Sequence, residues 1–173
     1  IYQGPSMLDG SQIVAIATGY GAKSKNAKTG AMIQLWILRA DMSPVDAVKS
    51  NSDISICGDC PLKGHAGKGR ACYVQVFQGP SAVFKAYTNG SYPKKMPDNT
   101  GLLLRLGAYG DIAALPEDVI RQFTDGAAGY TGYTHAWRDM SKKWLAQFCM
   151  ASCESQTQKQ QAKAIGYRTF TII

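Results

Sequence analysis

Apolar positions along this chain come in short bursts, and the spacing between bursts changes from one half to the other. Residues 13–17 (Ile-Val-Ala-Ile-Ala) form a β-rich run closed by Thr18-Gly19-Tyr20-Gly21, and 32–38 form a second run of bulky apolar residues. The segment 24–30 between them is polar and reads as a loop. Two neighbouring strands joined by a turn-rich segment predict an antiparallel pair. A helix is expected from Ser43-Pro44, because Ser is a good N-cap and Pro is tolerated at the first helical position.

The segment 57–72 breaks the rhythm. It holds Gly58, Gly64, Gly67, Gly69 and Pro61, a composition that gives no regular element and needs something else to order it. A strand over 73–76 and a helix over 79–88 ended by Asn89-Gly90 should follow, then an exposed connection over 91–100. From there strands and helices alternate: strands over 102–106, 130–133, 148–151 and 167–172, helices over 116–123, 141–146 and 156–164. Alternation of this kind argues parallel β/α units with right-handed crossovers. The expected fold is α/β in a single domain over 1–173, with short β/α units making half of a barrel or a small, mostly parallel sheet. An N-terminal strand pair and a cysteine-rich metal loop complete it.

Cysteine spacing supplies the metal. Cys57 and Cys60 form a CxxC pair and Cys72 closes the same loop, while Cys149 and Cys153 lie far downstream. Two residues between thiols let both sulfurs turn to one centre. Three thiolates need a fourth ligand, for which Cys149 is the first choice, Cys153 the second and His65 the third. Zn2+ and a [4Fe–4S] cluster both fit such a set, and the softness of sulfur does not separate them. Five cysteines are an odd number, which fits thiolate ligands in a reducing cytoplasm better than a secreted disulfide framework.

Composition sets outer limits. Apolar residues make up 45% and charged residues 18%, ordinary values for a globular chain. No apolar stretch is long enough to span a bilayer, the longest (31–40) being interrupted by Gln34 and Arg39. No charged segment precedes an apolar one at the N-terminus, so no secretory signal is read. The formal charge of +7 suits nucleic acid, nucleotide phosphates or an acidic protein partner. Basic and aromatic residues interleave in two places: Tyr87, Tyr92, Lys85, Lys94 and Lys95, and then Tyr130, Tyr133, Trp137, Arg138, Lys142, Lys143 and Trp144. Aromatic faces stack bases while Lys and Arg meet phosphates, which makes Lys94, Lys95, Arg138 and Lys142 candidate phosphate contacts. Core aromatics beside solvated charges account for the same pattern, and Trp144 falls where a core anchor is needed.

In parallel β/α architectures the working residues gather at the carboxyl ends of strands. Applied here, the rule brings Gly107-Ala108-Tyr109-Gly110-Asp111, then Thr134-His135, then Ser152-Cys153-Glu154 to one rim, with Cys149 inside its strand beneath it. Asp111 and His135 are the candidate catalytic residues, Asp111 orienting the His135 ring. Asp111→Ala and His135→Ala are both expected to leave folding intact. A simple turn in which Asp111 caps the following helix is the plainer account. No G-x-S-x-G, P-loop, H-E-x-x-H or G-x-G-x-x-G occurs, so a serine hydrolase, a nucleoside triphosphatase and a Rossmann dehydrogenase are unsupported.

The runs "KTGAMIQLWILRADMSPVDAVKS", "ICGDCPLKGHAGKGRACYVQVFQGPSAVFKAY", "RLGAYGD", "YTGYTHAW" and "CMAS" resemble those of a family of uncharacterised proteins encoded by phages, prophages and plasmids. The resemblance covers nearly the whole chain and implies a mobile-element origin and an intracellular setting. The "CGDC…ACY" loop is more loosely similar to radical-SAM-like phage proteins, but the compact CxxxCxxC triplet of their cluster is missing here. Two readings of function follow. One is a cysteine-ligated metalloprotein that acts on or binds nucleic acid or nucleotides. The other is an interaction protein, such as an inhibitor of a host defence system, whose metal only holds the loop and whose partner is a host protein.

Overall fold

The computed structural model describes residues 1–21 and 30–171. Its centre is a seven-stranded sheet whose strands lie side by side in chain order: β1 (Tyr2–Pro5), β2 (Gln12–Thr18), β3 (Ile33–Arg39), β4 (Leu103–Tyr109), β5 (Gly129–Thr134), β6 (Met150–Cys153) and β7 (Thr169–Thr171). β1, β2 and β3 pair antiparallel, with Tyr2 opposite Ala15 and Ala15 opposite Ile37. β3 to β7 are parallel throughout. The fold is therefore α/β, a mixed and mostly parallel sheet with helices. The strands follow one another across the sheet without a reversal of order, and among the described residues β1 and β7 do not pair with each other.

The helices are α1 (Pro44–Lys49), α2 (Ile54–Cys57), α3 (Gly79–Thr88), α4 (Glu117–Thr124) and α5 (Gln156–Ala164). Ser43 caps α1 through its hydroxyl, which accepts from the Asp46 amide at 3.2 Å. Ser155 caps α5 in the same way through Gln158. The core joins Ile13, Leu35 and Ile37 of the first strands to Leu104 and Leu106 of β4 and to Ile120 and Phe123 of α4. Among the described residues no helix is long and apolar enough to cross a membrane.

Several expectations need correction. β1 is an additional strand, hidden in sequence by Gly4 and Pro5, which as an edge position tolerates a residue with no amide to donate. Residues 73–76 are not a strand. Their burial alternates as a strand's would, but their carbonyls are committed elsewhere: Val74 O accepts from the Arg70 guanidinium and Val76 O from Ser81. Residues Met140–Gln147 form a 3-10 stretch kinked at Lys142, where Asp139 draws in both Ser141 and Lys142. Phe148 and Cys149 extend that stretch, both donating their amides to Leu145 O, so β6 begins only at Met150. The polar loop expected over 24–30 lies, Gly30 excepted, outside the described residues.

A bulge aims the end of β4. Gln34 pairs with Arg105 but Trp36 with Tyr109, so β4 fits three residues where β3 has one. Gly107 (φ 76°) and Gly110 (φ 83°) make the turn. A Cβ on Gly110 would meet Ile37 Cβ at 2.8 Å and Ile37 O at 3.0 Å. Gly110→Ala is expected to cost about 3 kcal/mol from the combined clash and backbone strain. In thermal unfolding that is a fall in Tm of roughly 10 °C for a chain of this size.

Candidate metal and acid–base site at the strand termini

The bulge delivers Asp111 to a position where three elements meet. Its backbone amide donates to Ile56 O at 2.6 Å, fastening β4 to the residue just before Cys57. Its carboxylate accepts three hydrogen bonds, all at 2.9 Å: the Ala113 amide, the Thr134 hydroxyl and the His135 amide. Burial pushes this carboxyl up from its usual range, while the three donors pull it down. Asp111 does cap the 3-10 turn Ile112–Ala114. It does not orient the His135 ring, as expected from sequence; it holds the His135 backbone. Asp111→Ala consequently should not leave folding intact: removing the acceptor of three buried donors is expected to cost about 3 kcal/mol in urea unfolding.

The ring belongs to Glu154. His135 Nε2 donates to Glu154 Oε1 at 2.9 Å, across the carboxyl ends of β5 and β6. Glu154 is steadied in turn by its amide, which donates to Gln158 of α5. Cys60 Sγ stands 3.8 Å from the same His135 Nε2, so the cysteine loop reaches over the rim. The strand-end rule thus brings Asp111, His135 and Glu154 together, and the chain folds Cys60 onto them.

The loop is ordered by charge. Asp53, 1% exposed, faces Lys63 Nζ at 3.3 Å and Arg70 Nη1 at 3.7 Å. Lys63 also donates to Asn51 Oδ1 at 2.7 Å, and Arg70 to the carbonyls of Lys63 and Val74. Burial pushes the Asp53 carboxyl up, and the two cations draw it back. These three residues escaped the sequence reading. A lone acid ahead of a glycine-rich loop carrying a lysine and an arginine is a weak signal, and only the fold shows that the cations turn inward.

The Cys57 thiol lies within electrostatic reach of Asp53. Burial pushes the Cys57 thiol well up, helped by Asp53, Cys60 and Cys72, and burial lifts Cys60 to about 11. Each of the three therefore lies within electrostatic reach of another. Two buried oxygens beside them have no hydrogen-bond partner, Asp53 Oδ2 and the Tyr109 hydroxyl, and Tyr109 feels Cys57, Asp53, Arg70 and Cys72. Among the described residues no three His, Cys, Asp or Glu side chains stand close enough together to hold a metal ion.

The downstream ligand choices lie elsewhere. Cys149 is buried at the entry to β6, its thiol donating to Leu145 O at 3.2 Å, and its charged neighbours are Asp111 and Arg168 rather than the loop thiols. Cys153 is buried with its thiol toward Ala151 O. His65 is exposed in a small turn with Lys68. The candidate phosphate contacts divide as well. Arg138 stacks on Trp137 with its guanidinium carbon 4.0 Å from the ring centre, and Lys142 pairs with Asp139 at 2.6 Å. Trp144, expected as a core anchor, is only half-buried and packs edge-on against Phe148, while the fully buried tryptophan is Trp137. Lys94 and Lys95 instead line a cavity of about 810 Å3 away from the rim.

Fold and rim together define the class: a mostly parallel α/β protein with a histidine–carboxylate pair at its strand termini beneath a cysteine-bearing loop. Comparison with protein-family models, with curated proteins and with solved structures finds no match to this chain.

Asp53→Ala would leave Lys63 buried without its counter-charge. Its expected cost is about 3–5 kcal/mol. Limited proteolysis should then cut first within residues 64–70, a region intact in the parent protein under the same conditions.

Proposed function

We propose that this chain is a cysteine-ligated metalloprotein that acts on nucleic acid or nucleotides at the rim formed by Asp111, His135 and Glu154. One observation carries the reading: Cys60 Sγ is 3.8 Å from a histidine nitrogen that is itself 2.9 Å from a carboxylate. A metal-ligand loop has no structural need to lie over an acid–base pair.

Two features of the residues support a metal there once the loop closes. Cys57, Cys60 and Cys72 lie within electrostatic reach of one another, so a cation bound among them would stabilise their deprotonated forms. The buried Tyr109 hydroxyl, without a hydrogen-bond partner among the described residues, leaves a polar atom within electrostatic reach of Cys57 and Cys72. Closing the thiols on an ion requires the loop to tighten. When bound, zinc with three thiolates and an open position would polarise a water or a phosphoryl oxygen; a [4Fe–4S] cluster remains the alternative occupant.

The protein's own groups have distinct tasks. Glu154 accepts from Nε2–H and so selects the tautomer in which Nδ1 is the basic nitrogen of His135. His135 then takes or returns a proton at Nδ1, and Glu154 stabilises the imidazolium. Asp111 fixes the His135 backbone and never meets the ring. A second reading keeps any metal as a pin and makes the chain an interaction protein, for example an inhibitor of a host defence system. Tyr73 and Phe77, 71% and 64% exposed directly after the loop, favour it.

Protein prepared anaerobically is expected to hold about one zinc per chain, or iron with sulfide and a brown colour. The Cys57→Ser, Cys60→Ser double variant should lose it, and full metal retention there sinks the ligand assignment. His135→Asn and Glu154→Gln should each keep the metal but lower turnover on a nucleic-acid or nucleotide substrate by about 100-fold or more. Turnover untouched by both changes would leave only the interaction reading.

A further inference from the structure

A second feature of the surface has no part in the rim chemistry. The cavity of about 810 Å3 runs along β2 and beneath the connection that leads from α3 into β4. Its walls carry four aromatic side chains, Tyr2, Tyr20, Tyr87 and Tyr92, with Lys94 and Lys95 at the lip. That size lies within the ordinary range of roughly 300–1,000 Å3 for ligand sites.

The walls are held in advance of any ligand. Tyr2 donates its hydroxyl to Pro5 O and Tyr20 to Asn99 Oδ1, each at 2.7 Å, so their polar ends are satisfied. Asn99 is buried and passes the contact on, donating to Phe123 O of α4 at 2.6 Å. The connection carrying Tyr92, Lys94 and Lys95 is thereby anchored at its far end and stiffened by Pro93 and Pro97. Tyr87 is backed by Phe84, ring centres 6.2 Å apart. Asp98, the acid in the wall, already accepts from the Thr100 amide. Lys94 and Lys95 are exposed and, unlike Lys63 and Lys142, take part in no ion pair among the described residues.

We infer that this groove binds single-stranded nucleic acid, its bases stacked on the tyrosine rings and its phosphates on Lys94 and Lys95. Ring faces accept any unpaired base, and adjacent lysines match a backbone. Four rings and two free cations exceed what one mononucleotide uses, and a duplex keeps its base faces stacked away from protein. The net charge of +7 favours the same ligand. The inference rests on the reading above only for the class of ligand; its residues are separate from the rim, and its measurement does not depend on metal.

The test is fluorescence anisotropy of a labelled twelve-nucleotide oligo(dT) with the intact chain at several salt concentrations. Single strand should bind, and the matching duplex should bind more weakly. Lys94→Ala with Lys95→Ala should weaken binding about tenfold and flatten the salt dependence by about 1.4 in log–log slope, the loss of two phosphate contacts. Tyr92→Ala should weaken it by a similar factor with the slope unchanged, and Tyr92→Phe should restore it. Absence of strand binding, binding indifferent to all three variants, or competition by thymidine monophosphate as strong as by the oligonucleotide would each overturn the groove assignment. Absence of metal would fail the rim reading alone, and absence of strand binding would fail the groove alone.

Discussion

The carboxyl end of β4 is where this molecule is held together. Asp111 receives β5 through the Thr134 hydroxyl and the His135 amide, closes its own turn through Ala113, and with its backbone amide grips Ile56 at the mouth of the cysteine loop. None of these contacts exists unless the β4 bulge turns the chain, and the bulge needs Gly110 to lie against Ile37 without a side chain. Position of the His135 ring, height of the loop and direction of Glu154 all follow from that one junction. A buried carboxylate with three donors is rigid because any displacement strands several polar groups at once.

Ordering of the loop follows a different logic. A glycine-rich segment of this length has little apolar surface to bury, so its conformational entropy must be offset by something directional. Here Asp53 sits in the body and Lys63 and Arg70 fold back on it. The site is dry, so the loss of any one partner is costly. Cys57 and Cys60 are held beside it with their proton affinity raised by burial.

The two candidate sites divide the sheet between them. The rim uses the parallel strands and their shared polarity, which points the β4, β5 and β6 ends at one place. The groove uses the antiparallel side, where β2 and the strap of residues 90–98 leave tyrosine rings and two lysines facing a common space. The two places share no residue, so a substitution at one leaves the side chains of the other in position.

Much of the architecture was legible in the amino-acid order by itself, because strand and helix periods and turn residues are local. The helices Gly79–Thr88 and Gln156–Ala164 appear where the pattern puts them, as do the antiparallel pair β2–β3 and the convergence of Asp111, His135 and Glu154 at one rim. Tertiary structure alone decided what depends on direction. It denied residues 73–76 a ladder by taking their carbonyls for Arg70 and Ser81, and set Cys149 against Leu145 instead of the loop thiols. It also gave the ring of His135 to Glu154 and only its amide to Asp111. Spacing says which residues can arrive at a place; which atom then faces which is settled by bulges, burial and competing partners that no local pattern records.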